Sequence, residues 1–177
     1  MTISATKKKL SEARFFFGHL STEGRPLAYG DHFDFYLSAF LSAGRSVTFA
    51  LQGEEKEAYD AWFSDWVQNF LSKDEQVLLD FMNDQRVSEI HLTGAETKIS
   101  HTEIPMEQLM QEMSHRDWQM FTHTGIPGTR PPNQIGKVRT FPTLDNQDVV
   151  VACRRYLDLL IRLVSEFENT LNRETVD

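Results

Sequence analysis

Cysteine is almost missing from this sequence: Cys153 stands alone among 177 residues. One thiol excludes an internal disulfide framework and fits a reducing compartment. Positive charge is also short. The net charge is −8, which argues against gripping nucleic acid by bulk electrostatics, because phosphate binding draws on lysine and arginine. A local basic cleft stays open to an acidic protein. The opening MTISATKKKL has no apolar segment of the kind a secretory leader carries, so a cytoplasmic, bacterial-type chain is expected. No long apolar run is free of charge. The greasiest stretch, 31–51, contains Asp34, Arg45 and three serines, and a charge near a bilayer centre is costly, so a membrane span is not expected. Signature motifs are lacking too. There is no glycine-rich phosphate loop, and no CxxC, HExxH or GxSxG. The six histidines are scattered, with no pair at the four-residue spacing of a zinc site. No metal and no cofactor is expected.

What is present is material for one core. The chain is 40% hydrophobic with 13 Phe and 3 Trp, enough for a single domain over residues 1–177. The stretch Asp31 to Leu51 leaves almost no polar face, and a helix apolar all round is one buried on most sides. It would run roughly 30 Å, with Asp31 as its cap, Asp34 in its first turn and Gly53 at its stop. Arg45 lies inside that apolar surface. Its guanidinium needs a partner, so a buried ion pair with a carboxylate is expected first, and a functional cleft or subunit interface second.

The other helices follow from periodicity. Residues 7–20 repeat Leu10, Ala13, Phe17 and Leu20 at helical steps, and Lys7–Lys9 read as a solvated end. Residues 54–72 carry an aromatic stripe of Tyr59, Trp62, Phe63, Trp66 and Phe70. That stripe reads as core, although it could serve as a platform for a small ligand. A fourth helix runs from residue 73 or 74 to His91, with Val77, Leu78, Phe81 and Met82 on its buried side and Gly94 beyond its end. The last, 145–172, has Asp145 as its expected cap and a stripe from Val149 to Leu171. Between 95 and 144 glycine and proline break the pattern. An irregular excursion is expected there, with a short helix at 105–115 extending toward Phe121, and a hairpin of 98–104 against 137–144. The sum is an all-α antiparallel bundle around a buried central helix, with a loop-rich insertion before the last helix.

One polar constellation remains. Arg86 and His91 bracket four residues at the polar end of the fourth helix. The spacing alone decides nothing, since Arg14 with His19 and Arg116 with His123 are similar. Bland roles are available: His91 can bond free carbonyls at a helix end, and Arg86 can pair with Asp84 or Glu89.

The phrases KKLSEARFFFGHL, FYLSAFLSAGRSVTFAL and DVVVACRRYLDLLIRLV, together with an Arg-x4-His at the end of an apolar-to-polar helix, resemble the HEPN superfamily of small helical bundles. More narrowly they resemble a bacterial branch with EARFF and YLSAFLSAxRSVTF helices. The resemblance covers 7–94 and 145–168. It implies a homodimer with an Arg–His pair from each chain at a shared cleft, and in active members a metal-independent endoribonuclease. On that mapping Arg86 clamps the phosphate, His91 is the acid/base, and Arg45 supports the site. Val87 stands where the family's motif often has a polar residue. The alternative is a non-catalytic protein-interaction module of the same fold, a partner in a stress or toxin–antitoxin pair. RNA or a cognate protein is the partner implied. A small-ligand binder using the aromatic stripe is a third reading.

Overall fold

The structure, a computed structural model, describes residues 3–25, 32–91, 95–104 and 134–174, with backbone only at 88–91, 134–135 and 174. Among these residues, five helices and three strands follow in the order α1 (Ser4–Glu23), α2 (Phe33–Glu54), α3 (Lys56–Phe70), α4 (Lys73–His91), β1 (Lys98–Ile104), β2 (Gln134–Phe141), β3 (Gln147–Asp148) and α5 (Val149–Glu174). The fold is predominantly helical, but the all-α expectation is corrected by an antiparallel sheet of order β1-β2-β3. The 98–104 hairpin is present, with its second strand at 134–141 rather than 137–144. Lys98 pairs with Thr140 and Ile104 with Gln134. The helix read at 105–121, the Asp31 cap and the Gly94 stop lie outside the described residues.

The α1–α2 hairpin is antiparallel. Phe17 meets Phe40 at 5.8 Å and His19 stacks on Tyr36 at 4.9 Å. At the open end the Glu54 carboxylate reaches back to the start of α1. It accepts from the Ala5 and Thr6 amides at 2.8 and 2.9 Å and from the Thr6 hydroxyl at 2.8 Å. The residue before α1 is Ile3, with no capping side chain of its own. Glu54 therefore satisfies α1's orphan donors from another helix and complements its dipole. Burial alone would raise the Glu54 carboxyl, but these bonds outweigh it and hold it below its ordinary value of 4.5. A lowered folded value contributes stability above the unfolded pKa and loses it as pH falls through the folded one. Glu54→Ala should thus cost about 1 kcal/mol at pH 7. In acid denaturation curves that difference should shrink as the wild-type carboxyl protonates.

α2 is not buried on every side. Phe40, Leu41, Val47 and Leu51 are fully buried, yet Phe35 is 71% and Phe49 50% exposed. Its helix also runs through Gly53 to Glu54, so the expected glycine stop is not used. Glu55, at φ −140°, makes the break into α3. In α3, Tyr59 and Trp66 enter the core against Phe167 and Glu166 of α5, whereas Phe70 faces out. α4 begins with a reciprocal cap: Glu75 N–H donates to Ser72 Oγ, and Ser72 N–H donates to the Glu75 carboxylate. Leu78, Leu79 and Met82 are buried, whereas Val77 is exposed.

The sheet is tied to the helices. Arg139 of β2 forks onto Asp34 in the first turn of α2, with both bonds at 2.8 Å. Phe141 is fully buried and meets Phe81 of α4 at 4.9 Å. Residues 98–104 and 134–144 are therefore part of the folded body rather than an irregular excursion. Asp145 and Asn146 take left-handed conformations (φ 49° and 55°) in the turn after β2, which aspartate and asparagine tolerate. The expected Asp145 cap passes to Asp148, which accepts from Val151 N–H at 3.0 Å. Cys153 is fully buried, and burial pushes its thiol well above the usual range. No described helix is long and apolar enough to cross a membrane.

Candidate functional site

α4 carries both residues of the Arg–His pair. Its Leu78, Leu79 and Met82 fix one side to the core, and one turn further on Arg86 is half-buried. Its Nε is shut off from solvent with no hydrogen-bond partner. Neither Asp84 nor any other described acid pairs with it. Of the two expected surface pairings, that with Asp84 is therefore absent, and the side chain of Glu89 lies outside the described residues. The neighbouring Gln85 is buried and holds the chain after the helix, accepting from Glu96 N–H at 3.0 Å. α4 stays helical to its last residue, His91, whose side chain lies outside the described residues. Positions five apart on a helix differ by roughly 140° in direction, so positions 86 and 91 lie on different faces of α4.

Arg45 is placed differently from the first expectation. It is half-buried, and no described carboxylate pairs with it. Instead its Nη1 donates to Thr48 Oγ1 at 3.3 Å and to Asn83 Oδ1 of α4 at 3.4 Å. Its guanidinium lies 4.3 Å from the Phe49 ring centroid. Neutral acceptors and a π-face thus stand where the ion pair was expected. Asn83 is three residues before Arg86, so this contact ties α2 to the helix that carries the pair.

Arg45 opens onto a cleft of about 430 Å³ between α2 and α3, whose walls include Phe49, Gln52, Tyr59, Asp60 and Phe63. Tyr59 stacks on Phe63 at 4.8 Å. Burial pushes the Tyr59 phenol up to about 12, against a partial pull downward from Arg45, so it stays protonated and able to donate. Asp60 is held by Lys56 and by Gln52, and those two hydrogen bonds keep its carboxyl below the usual range.

A second cleft, of about 480 Å³, lies between α4 and α5. Its Arg162 is neutralised by Glu75 at 2.9 Å and flanked by Glu166 at 4.0 Å. Among the described residues no group of three or more His, Cys, Asp or Glu could hold a metal ion.

Sequence reasoning singled out Arg45, Arg86 and His91 and offered the aromatic stripe that includes Tyr59 as a ligand platform, but it did not name Asp60, which also lines the cleft. Comparisons with protein-family models, with curated proteins and with solved structures find no match to this chain.

Proposed function

We propose that the chain is a HEPN-like helical protein that acts as a homodimer and cleaves RNA without metal, using Arg86 and His91 of both copies at a shared cleft. The observation that carries this reading is Arg86, a half-buried arginine whose Nε is closed to solvent and unbonded. Leaving such a donor unsatisfied costs roughly 1–3 kcal/mol, a cost that function at that position would explain. A guanidinium with unspent donors suits the phosphoryl oxygens of a scissile phosphate. In the step proposed, His91 takes the proton of a ribose 2′-hydroxyl. The 2′ oxygen then bonds to the adjacent phosphorus, the bond to the 5′ oxygen breaks, and that oxygen leaves with a proton. An imidazole suits both transfers at neutral pH. Because positions 86 and 91 diverge around α4, a second copy supplies the complementary member of the pair.

The test is labelled RNA incubated with the full chain and a chelator, beside Arg86→Ala and His91→Ala. The wild type should cleave, and each variant should lose at least about a hundredfold in rate with unchanged helical signal.

A second reading, the non-catalytic interaction module, draws on a different observation. Phe15 and Phe35 are 60% and 71% exposed on the neighbouring helices α1 and α2. Phe15 also packs on His19, which stacks on Tyr36. Exposed aromatics of this kind are enriched at protein contacts. RNA left intact by all three proteins would overturn the nuclease reading and leave this one.

A further inference from the structure

We propose that the cleft between α2 and α3 is a binding site for a small aromatic monocarboxylate, anchored by Arg45. This does not rest on the RNA-cleavage reading. The anchor is a half-buried guanidinium whose two hydrogen bonds both leave Nη1 and are long, at 3.3 and 3.4 Å. No described acid neutralises it. Arg162, facing the α4–α5 cleft, differs on this point, since Glu75 takes it directly. A cation partly withdrawn from water without a counter-charge favours an anion, and the planar fork of arginine matches a carboxylate with two parallel bonds.

The walls define the rest of the ligand. Phe49 covers one side of the guanidinium at 4.3 Å, and Phe63 stands stacked on Tyr59. An apolar, planar body fits such rings better than a sugar or a peptide backbone. Thr48, Gln52, Tyr59 and Ser64 add polar side chains to the same lining. A cavity of about 430 Å³ lies in the usual range of roughly 300–1,000 Å³ for small-molecule sites.

Charge selects the head group. The wall also carries Asp60, already engaged by Lys56 and Gln52. Among the described residues that line the cleft, Arg45 is therefore the cation free to meet a ligand, and it can balance one negative charge. A phosphate monoester, carrying close to two, would face the Asp60 carboxylate with no second cation among the described lining residues to meet it.

The test is calorimetric titration of the full chain with 2-naphthoate, its neutral isostere 2-naphthamide, and 2-naphthyl phosphate. Wild type should bind 2-naphthoate one to one and prefer it to the amide by at least about tenfold, the usual worth of a charge-assisted bond pair. In Arg45→Gln that preference should vanish, with naphthoate and naphthamide bound alike. Arg45→Lys, which keeps the charge and loses the fork, should keep only part of it. Circular dichroism checks that both variants fold. Should either fail to, the naphthoate-to-naphthamide ratio in the wild type decides alone. No binding of naphthoate at millimolar concentration, equal binding of acid and amide by the wild type, or a preference that survives Arg45→Gln would each overturn the site. Tighter binding of the naphthyl phosphate would overturn the choice of a monocarboxylate.

Discussion

Phe141→Ala should lower the stability of the folded chain by about 3–5 kcal/mol, the range for removing a fully buried phenylalanine. The measurement is denaturant unfolding, where the midpoint should drop at an unchanged slope. Phe141 is 0% exposed. It sits at the last position of β2, where its backbone pairs with Gln147 of β3. Its ring meets the edge of Phe81 on α4, and the strand that carries it packs against α5. It therefore joins the segment between α4 and α5 to both flanking helices. A dispensable excursion would predict the opposite result, with the midpoint hardly moved. Ile99, on β1 and 45% exposed, is the internal control: Ile99→Ala should cost no more than about 0.5 kcal/mol, as surface substitutions usually do. If both substitutions behave like Ile99, the hairpin is not part of the core.

The helices were legible because their apolar residues recur every three or four positions, and that signal needs no knowledge of neighbours. Leu10, Ala13, Phe17 and Leu20 mark α1 this way, as Val149 to Leu171 mark α5. What could not be read is which neighbour each face meets. α2 is apolar on nearly every side, so the pattern gave no direction, and it could not tell that Phe35 and Phe49 face solvent. Phe70 and Val77 are likewise exposed, although each is next to a buried leucine, Leu71 and Leu78. Caps failed for a similar reason. Asp145 and Asp148 are both suitable acceptors, and the choice depends on a left-handed turn that only the tertiary path imposes. Glu54 caps a helix that begins 50 residues earlier in the chain, beyond any local pattern. The Ser72-x-x-Glu75 box, by contrast, is a local four-residue pattern, although it too went unread.

The candidate sites divide along the same line. The placement of Arg86 and His91 on one polar helix end was visible in the sequence, whereas the lack of an ion pair between Arg86 and any described acid was not. For Arg45 the need for a partner was visible, and its identity was not: Asn83 lies 38 residues away and carries no charge.

Glycine is silent in a periodicity argument, and Gly44 shows what that silence hides. An ideal Cβ at position 44 would lie 2.7 Å from Cε1 of Tyr156 and 3.4 Å from Cδ1 of Leu160, both on α5. Tyr156 is 1% exposed and stands edge-on to Phe40 at 6.1 Å. A buried ring cannot swing aside as a surface lysine can, so either the ring or the helix must move. Two effects then compete at this position. Any non-glycine residue gains up to about 1 kcal/mol of helix propensity, while forcing atoms into a packed core costs about 1–3 kcal/mol, occasionally more. For Gly44→Ala these nearly offset one another. For Gly44→Val the branched methyls enlarge the clash and the propensity gain is smaller, so a net loss of about 3 kcal/mol is expected. Gly53, on the same helix, has nothing within 4 Å of its ideal Cβ. Gly53→Ala should therefore stabilise by a few tenths to about 1 kcal/mol. Opposite signs at two glycines nine residues apart on one helix cannot come from helix propensity, which would give the same sign at both. They require the close approach of α2 to α5 at position 44. A wild-type midpoint for Gly44→Val would mean that the two helices stand further apart there than the structure has them.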